Sequence, residues 1–473
     1  MPATDAASAN AGNGAAFRAP SPGATTRVAP TEAIFQTALT SALSPLEGHL
    51  RVYGLQYFGL DFGTTNTSLA WVREDGGVTL CVLDLLAPKT NVLRSLLYYS
   101  LDERGFVVGQ RAIDEYLEEN MQGTLIQSVK TFLADDSFEE TFVHDRFYRL
   151  EDLISFIFRH VHAVIRALIS DEDFTVVIGR PAIFVERPEK EAIAQERMRK
   201  AAQLARFFNV RFLYEPIAAG LTYESQLDKP EVALIADLGG GTTDFTVMRL
   251  GTRARGERRD DILASGGVQI GGDTFDARIM MRKISPHFGA GTTFRSMEGR
   301  DQPFPQMLLA RLSRWHHVAF LRAPKTQEQL RRIRWTSNAP ERLAAFEELV
   351  DGNYSFFLFR EIERAKSELS FNERATVRFH REGLHIEEPL ERDQFEEMIS
   401  DDLARVETRM RLVLDESGVP DDKIDAVFLT GGSAQIPAVH RLFERTFGPE
   451  KLRSEDYLTS VAYGLGLSAA RET

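Results

Sequence analysis

Residues 232–248 read VALIADLGGGTTDFTVM, and the fold can be inferred outward from this stretch. An apolar run suited to a buried strand ends at Asp237, turns through three glycines and two threonines, and resumes as a second strand. Residues 57–72, YFGLDFGTTNTSLAWV, repeat the same order of strand, aspartate, glycine, paired threonines and strand, with Asp61 in the place of Asp237. The repetition predicts two lobes of related topology, each of which brings one loop to a shared cleft.

The composition of both loops is suited to phosphate. Glycines let backbone N–H groups approach an anion, and consecutive amides in a turn form an anion-binding concavity. Further donors are the hydroxyls of Thr64, Thr65, Thr242 and Thr243. A carboxylate beside phosphate would repel it, so Asp61 and Asp237 indicate a cation such as Mg²⁺, which binds few carboxylates, retained waters and phosphate oxygens. Either loop alone also fits a tight hairpin without a ligand, but two copies with aspartate at the same place argue against that reading.

The surrounding sequence indicates an α/β fold without two common phosphate motifs. Neither loop is followed by Gly-Lys-Ser/Thr, and both lead into a strand, so they are not P-loops. G-x-G-x-x-G before a helix is also missing, which disfavours a dinucleotide-binding fold. Predicted strands alternate with helical crossovers, and apolar spacing predicts an amphipathic helix over residues 150–168. This alternation indicates lobes with partly parallel sheets.

Length and composition limit the class of protein. The chain has 473 residues, enough for two or three domains, and a formal net charge of −13 that argues against a nucleic-acid surface. No apolar run approaches membrane-spanning length, so we expect no membrane partner. Cys81 is the only cysteine, which excludes an internal disulfide and fits a reducing, cytoplasmic compartment. The first 30 residues are rich in Ala, Pro, Ser, Gly and Thr, and we expect residues 1–50 to form a disordered tail.

Two charged residues are candidates for chemistry. Lys130 lies in the apolar stretch 125–133, which by itself also fits a surface lysine whose stem packs on apolar neighbours. Glu215 precedes Pro216 at a predicted strand-to-helix junction, where α/β sheets expose ligand groups. By itself Glu215 also fits an acid that interacts with the helix dipole.

A predicted helix and a glycine turn in the second half are candidates for nucleotide contacts. Glu363, Lys366 and Ser370 share one face of the helix, a pattern that alone also fits a charged solvent face. Gly431 and Gly432 follow a predicted strand and precede a helix. This turn is suited to the edge or sugar of a nucleotide, although many turns have the same composition.

Taken in chain order, these motifs resemble the ATPase domain of the heat-shock 70 kDa (DnaK-type) chaperones. The motifs are DFGTTN at 61–66, YEPIAA at 214–219, DLGGGT at 237–242, GGDTFD at 271–276, ERAK at 363–366 and GGS at 431–433. The resemblance covers about residues 57–470. It is greatest to the short, YegD-like members of the family.

The resemblance implies an α/β, two-lobed actin-like ATPase (ribonuclease H-like) fold with duplicated core sheets. The implied parts are lobe I at 51–231, lobe II at 232–459, and a C-terminal helix at 460–473 that packs back on lobe I. The stretch between Asp276 and Glu363 is longer than in the family, so we expect a helical insertion at about 285–355. Because the chain ends soon after the last motif, we also expect no peptide-binding β-sandwich or helical lid.

The resemblance further implies that ATP and Mg²⁺ are held between the lobes. Asp61 and Asp237 would hold the metal through water, Lys130 would polarise the γ-phosphate and the attacking water, and Glu215 would order the water shell. Together these four residues would form the catalytic set. Phosphate contacts are implied for Gly63, Thr64, Thr65, Asn66, Gly239, Gly240, Gly241 and Thr242. The other implied nucleotide positions are Gly271, Gly272, Glu363, Lys366, Ser370, Gly431, Gly432 and Ser433.

One departure from the family concerns the base. The family places adenine between two arginines, and Ser367 and Gln435 occupy those positions here. Cation–π stacking worth roughly 0.5–2 kcal/mol per contact is then lost. We therefore expect altered affinity or base selectivity, and a nucleotide binder without catalysis is an open alternative.

The implied function is an ATP-binding, slowly hydrolysing Hsp70-like ATPase and molecular chaperone of the cytoplasm. Its partners would be ATP, ADP and a co-chaperone or other protein, with neither nucleic acid nor membrane. Two alternatives on the same fold stay open. One is a small-molecule, sugar-type kinase, and the other is a non-catalytic actin-like scaffold whose lobe angle is set by nucleotide.

Overall fold

The two predicted hairpins lie at the centres of two separate β-sheets. The structure is a computed structural model, and it describes residues 55–119, 123–169, 173–181, 188–251, 258–313, 319–381, 383–454 and 459–471. The tail predicted at 1–50 lies outside the described residues.

The strands and helices alternate along the chain. The strands are β1 (Gln56–Phe62), β2 (Asn66–Val72), β3 (Val78–Leu80), β4 (Leu93–Arg94), β5 (Leu96–Ser100), β6 (Gly105–Val108), β7 (Leu125–Gln127), β8 (Glu140–Val143), β9 (Arg146–Arg149), β10 (Phe174–Arg180), β11 (Asn209–Tyr214), β12 (Glu231–Leu238), β13 (Thr243–Leu250), β14 (Ile262–Val268), β15 (Thr293–Arg295), β16 (Asp301–Pro303), β17 (Arg374–Arg381), β18 (Leu384–Glu391), β19 (Ala426–Thr430) and β20 (Leu452–Ser454). The helices are α1 (Gly109–Glu118), α2 (Leu150–Leu168), α3 (Pro188–Leu204), α4 (Glu215–Glu224), α5 (Gly272–Ile279), α6 (Gln306–Leu312), α7 (Pro324–Thr336), α8 (Pro340–Asp351), α9 (Ser355–Leu369), α10 (Arg392–Ser417), α11 (Pro437–Phe447) and α12 (Ser460–Arg471). The protein is therefore of the mixed α/β class.

The two large sheets have the same topology. Their strand orders are β11-β10-β1-β2-β3, with β4 on β2, and β20-β19-β12-β13-β14. In each sheet three consecutive strands pair antiparallel, and two later strands add in parallel on the other side of the first. The register also matches, because Asp61 pairs with Ser68 in one hairpin and Asp237 pairs with Asp244 in the other. Equivalent backbone positions therefore carry the two aspartates.

An apolar layer between the two sheets is built from α4 and α12. Val177 of the first sheet and Ile235 and Phe428 of the second belong to one buried cluster with Ala218 of α4 and Leu465 of α12. Each of these residues is less than 5% exposed. The sheets are therefore joined by a continuous hydrophobic contact, which fixes the positions of their two hairpin loops relative to each other.

Glycines allow α12 to pack closely against its neighbours. A Cβ added at Gly464 would overlap the carbonyl oxygen of Ala218 in α4, and one added at Gly59 of β1 would overlap the backbone of Gly466 in α12. Because these obstacles are backbone atoms, a larger residue forces the helix to move.

Replacing Gly464 with alanine is expected to lower the free energy of unfolding by about 1–3 kcal/mol, the usual cost of overpacking. Gly105→Ala is the matched control, since the nearest atom to its added Cβ is 3.9 Å away. Urea unfolding of both variants measures the difference. An unchanged midpoint for Gly464→Ala would show that α12 does not pack as described.

The stretch between α5 and α9 forms a compact addition that packs on the hydrophobic core of the second sheet. It contains the β15–β16 hairpin and helices α6, α7 and α8. Leu330 of α7 and Phe346 of α8 are fully buried and belong to the same hydrophobic cluster as Leu234 and Phe245 of the second sheet. This addition is therefore anchored to the core. Within the described part of the chain, no helix combines the length and apolar character needed to cross a membrane.

Candidate functional site

The two hairpin loops close with the same hydrogen bond. The N–H of Gly63 donates to the carbonyl of Asn66 at 2.8 Å, and the N–H of Gly239 donates to the carbonyl of Thr242 at 2.9 Å. A Cβ added at Gly63 would clash with the Asn66 carbonyl oxygen. The repeated sequence pattern therefore produces one turn geometry twice.

The two loops also face each other. A Cβ added at Gly240 would lie 2.5 Å from the Thr65 hydroxyl oxygen, and one at Gly241 would lie 3.9 Å from the Thr64 hydroxyl oxygen. The glycines of one loop thus meet the threonine hydroxyls of the other. Backbone amides and hydroxyls from both sheets are concentrated at this one place, as a shared anion site requires.

A glycine pair at the start of α5 supports the second loop. The N–H of Gly272 donates to the Gly239 carbonyl at 3.0 Å, and the N–H of Asp273 donates to the Gly240 carbonyl at 2.8 Å. A Cβ at Gly271 would lie 2.5 Å from the Gly240 carbonyl oxygen, closer than real Cβ atoms approach. Gly271 is therefore required by its contact with the loop.

The predicted turn after β19 packs against the same loop. Gly431 has φ +82°, a conformation that favours glycine, and a Cβ there would clash with the Leu238 carbonyl oxygen. Two residues later, the Ser433 hydroxyl donates to the Gly239 carbonyl at 3.2 Å. The second loop is thus held from two sides.

A buried charged cluster lies at the ends of β1 and β12. Lys130 donates to Glu215 at 2.8 Å, and the two side chains are only 10% and 11% exposed. The interpretation of Lys130 as a surface lysine is therefore wrong. Glu215 is the first residue of α4, and Lys130 lies in a 3-10 turn, Val129–Phe132, that follows Ser128 with φ +55°. A strained backbone position thus precedes the lysine in the chain.

The electrostatics of this cluster are dominated by carboxylates. Burial and the neighbouring Glu215 raise the pKa of Asp61 to about 7, against the effect of Lys130. Burial also raises the pKa of Asp237 well above its usual range, with added repulsion from Glu215, Asp244 and Asp61. Burial opposes the charge of Lys130, but Glu215 and Asp61 outweigh it and raise the lysine's pKa. Lys130 is thus a basic group whose charge acts on all four acids of this cluster, which are Asp61, Glu215, Asp237 and Asp244.

This donor set fits a hydrated cation. Among the residues that the structure describes, no three His, Cys, Asp or Glu side chains are grouped to ligate a metal directly. Mg²⁺ keeps several of its waters and needs only one or two carboxylates. The crowded acids Asp61 and Asp237, next to a phosphate-type loop pair, match that chemistry.

A cavity of about 420 Å³ opens beside the loops. Small-molecule sites usually measure roughly 300–1,000 Å³. The predicted residues in its walls are Thr64, Thr65, Asn66, Gly239, Gly240, Gly272, Glu363, Lys366, Ser370, Gly432 and Ser433. Ser367 and Gln435 also line it. The predicted residues outside its walls are the loop glycines Gly63, Gly241, Gly271 and Gly431, Thr242, and the buried cluster of Asp61, Lys130, Glu215 and Asp237.

Contacts across the cavity involve residues that the sequence interpretation missed. Arg94 of β4 donates to both carboxylate oxygens of Glu363, at 3.1 and 3.2 Å. Burial acts against the charge of Glu363, but Arg94 and Lys366 outweigh it and hold its pKa below the usual range. Lys366 donates to Asp276 at 2.8 Å and to the Gly272 carbonyl at 3.0 Å. Since Lys366 is only 13% exposed, the solvent-face interpretation of α9 is wrong for this residue.

The sequence contains a signal for two of the missed residues, Asp244 and Asp276, but not for Arg94. Asp244 and Asp276 directly extend glycine motifs that were already identified, so both were available as candidates. Arg94 follows no motif, and its partner Glu363 lies 269 positions away in the chain.

Comparison with known proteins agrees with the motifs. A family model described as Hsp70 protein matches residues 106–314 and 355–470. The chain is 25% identical over 420 residues to the chaperone protein DnaK of Thermosipho africanus, covering 87% of this chain and 58% of the relative. It is 26% identical over 439 residues to that of Deinococcus proteolyticus, with 87% and 58% covered. Against that of Thermotoga petrophila it is 25% identical over 421 residues, with 87% and 59% covered. The chain thus spans slightly under three fifths of the length of the curated relatives it matches.

Proposed function

The chain belongs to the Hsp70 family, and from this premise we propose that it binds ATP with Mg²⁺ and hydrolyses it slowly. We further propose an actin-like ATPase fold, with lobe I at 51–231, lobe II at 232–459, the helix 460–473 against lobe I, and an insertion at about 285–355. The observation that carries the proposal is the meeting of two equivalent glycine-threonine loops above a buried carboxylate cluster. The family model matches residues up to 314 and leaves out residues 315–354, which supports an insertion over the second part of that range only.

Phosphate groups would lie between the two loops. The backbone amides of residues 64, 65 and 240–242 and the hydroxyls of Thr64 and Thr65 would donate to phosphate oxygens. The N–H groups of Gly63 and Gly239 close the two turns, and the Thr242 and Thr243 hydroxyls donate to Asp244 and to the Ile270 carbonyl. Asp61 and Asp237 would hold Mg²⁺ through its waters, and the metal would supply charge neutralisation at the phosphates. No other described group combines two carboxylates with two such loops.

Lys130 would act on the transferred phosphate. Its ammonium is fixed by Glu215 at 2.8 Å, so little reorganisation is needed when negative charge develops. A fixed positive charge in a buried site stabilises that charge more strongly than the same group in water. Glu215 would then orient both the lysine and nearby water.

The nucleoside would lie in the cavity beside α9. Glu363, Lys366 and Ser370 would face the ribose and the adenine edge, while Ser367 and Gln435 take the places where the family has arginines. Glu363 is already bound to Arg94, so a ribose hydroxyl has to share that carboxylate. The base would be held by shape and polar contacts without guanidinium stacking.

A chaperone role in the cytoplasm would follow from nucleotide-dependent lobe movement. The family relatives that the chain matches are chaperone proteins by name. A co-chaperone or other protein would bind one arrangement of the lobes in preference to the other. Neither nucleic acid nor membrane is part of this proposal.

Thermal melting with nucleotides tests the proposed function. ATP and ADP with Mg²⁺ are expected to stabilise the protein by about 2.7 kcal/mol when free nucleotide is roughly 100 times its Kd. GTP with Mg²⁺ is expected to give a comparable shift, because the arginine pair that stacks on adenine is missing. Removing Mg²⁺ with EDTA should reduce each shift. No shift with any nucleotide, or equal shifts with and without Mg²⁺, would contradict the proposal.

A further inference from the structure

The addition between α5 and α9 presents an exposed face on α7. Helix α7 buries Leu330 and Ile333, at 0% and 4% exposure, and Gln327 donates to the Leu321 carbonyl at 3.0 Å. These contacts fix the helix on the second lobe. Its opposite face is therefore a rigid platform that points to solvent.

The outward face of α7 combines two arginines with an aromatic ring. Arg331 and Arg332 precede Trp335 by one helical turn, so the three side chains share one face. Trp335 is 83% exposed, which is unusual for so large an apolar side chain. Arg334 points elsewhere and pairs with Glu347 of α8 at 2.6 Å. Arg332 pairs with Glu328 of the same helix at 2.7 Å, but the two side chains are 69% and 59% exposed, and such surface pairs contribute little. Arg331 and Arg332 therefore both stay accessible on this face.

The β15–β16 hairpin lies beside the C-terminal end of α7. Asn338, just after α7, accepts from the Thr293 N–H and donates its own N–H to the Thr293 carbonyl, both at 3.0 Å. The tip of the hairpin carries Met297, which is 97% exposed. Arg295 is 67% exposed and has only a long surface ion pair with Asp301, at 3.4 Å. Such pairs contribute little, so the arginine charge stays accessible to a partner.

Residues 293–336, which contain the hairpin and α7, are basic in a chain that is acidic as a whole. Residues 293–336 contain nine Lys or Arg and three Asp or Glu, in a chain whose net charge is −13. The family model has no counterpart for residues 315–354, which include all of α7. A local basic surface on an acidic protein attracts acidic groups and would not be needed for packing.

We propose that the face formed by Arg331, Arg332 and Trp335 of α7, with Arg295 and Met297 of the hairpin, docks an acidic polypeptide segment that carries an apolar side chain. Trp, Arg and Met are the side chains enriched in protein interfaces, with Trp and Arg at their energetic centres. Charge complementarity selects an acidic partner. Nucleic acid fits less well, because the rest of the molecule is strongly acidic and would repel it.

Peptide selection tests this proposal without a known partner. A displayed library of random peptides is selected on the full chain and counter-selected on the Arg331→Glu/Arg332→Glu variant. We expect the enriched peptides to be rich in Asp and Glu around one aliphatic or aromatic residue. Enrichment of basic or neutral peptides, or of none, would overturn the proposal.

The enriched peptide is then measured on purified variants. Trp335→Ala and the Arg331→Glu/Arg332→Glu pair are each expected to weaken it by about tenfold or more, or 1.4 kcal/mol. The matched control is Arg199→Glu/Lys200→Glu, an adjacent exposed pair on α3, and it should bind like the wild type. Equal binding by the α7 and α3 reversals would also overturn the assignment.

Two other probes decide the class of partner. A single-stranded oligonucleotide and vesicles of phosphatidylserine with phosphatidylcholine are expected to bind more weakly than the peptide. If either probe binds more tightly than the peptide, and if this binding is lost in the Arg331→Glu/Arg332→Glu variant, the partner of this surface is a nucleic acid or a membrane. That result would contradict the proposal. All variants should keep the wild-type melting temperature and the shift with Mg²⁺ and ATP, because the changed side chains are exposed. The outcome is therefore independent of the nucleotide proposal.

Discussion

Replacing Lys130 with alanine is expected to lower the rate of ATP hydrolysis by roughly 10²–10³, the usual effect of removing one fixed electrostatic donor. The ammonium is held at 2.8 Å from Glu215 and faces the buried carboxylates. Without it, the negative charge on the transferred phosphate loses its cationic side-chain partner. Binding of ATP with Mg²⁺ should weaken much less, because the loops that would hold the phosphates are unchanged. Single-turnover hydrolysis and equilibrium binding separate the two effects.

Lys366→Ala is the matched control for Lys130→Ala. Lys366 is also buried and also lies 2.8 Å from a carboxylate, that of Asp276, but on the nucleoside side of the cavity. Its loss should weaken binding and leave the rate of bound ATP hydrolysis nearly unchanged. Since breaking a buried ion pair costs about 3–5 kcal/mol, Lys130→Arg provides a charged variant if the alanine variant unfolds. Wild-type turnover in Lys130→Ala would remove the lysine from the mechanism, and a wild type without turnover would favour the non-catalytic binder.

The double variant Asp61→Asn/Asp237→Asn is expected to have two effects of opposite sign. The empty protein should become more stable, because asparagine relieves the repulsion among Asp61, Asp237 and Glu215. The dependence of ATP binding on Mg²⁺ should disappear, because the amides cannot replace the carboxylates around the cation's waters. A loss of at least about tenfold in affinity for ATP with Mg²⁺ corresponds to 1.4 kcal/mol.

Calorimetric titration in Mg²⁺ and in EDTA measures the second effect directly. In EDTA the variant should bind ATP at least as well as the wild type, since the two carboxyl groups that can carry negative charge near the phosphates are gone. The surface variant Asp75→Asn is the control for an aspartate outside the site and should behave like the wild type in both conditions. If the double variant keeps the full Mg²⁺ effect, the cation is held elsewhere and the assignment of both aspartates is wrong.

The hairpins and several helices follow from local sequence. The repeated strand, aspartate, glycine and threonine order predicted both turns because backbone requirements at Gly63 and Gly239 are local. The helix predicted at 150–168 is α2, and its apolar positions Leu153, Ile157 and Val161 are buried. Periodicity works here because one face of the helix packs on the core and the other meets solvent.

The charge environment of the candidate site did not follow from sequence alone. By itself, the apolar stretch around Lys130 also fits a surface lysine whose stem packs on apolar neighbours. Only the folded chain brings Glu215, 85 positions away, to the lysine. The Arg94–Glu363 pair spans the cavity between β4 and α9 in the same way. Contacts between distant segments depend on how the two sheets and their helices pack, which no local pattern encodes. Resemblance to a family supplied Lys130, but it supplied no signal for Arg94.

The surface of α7 illustrates a further limit. The sequence interpretation expected an insertion at about 285–355 and assigned no chemistry to it. The basic character of the segment is visible in the sequence, but exposure of Trp335 and burial of Ile333 on opposite faces require the packing of α7 on its neighbours. The function of such a surface can therefore be inferred only after the fold is known.

A crystal structure with Mg²⁺ and a non-hydrolysable ATP analogue would show whether both loops bind the same nucleotide. We expect the terminal phosphates to lie between residues 63–65 and 239–242, with the cation bridged through water to Asp61 and Asp237. The base should lie near Ser367 and Gln435. Phosphates bound by only one loop, or a nucleotide outside the cavity between them, would contradict the proposed function.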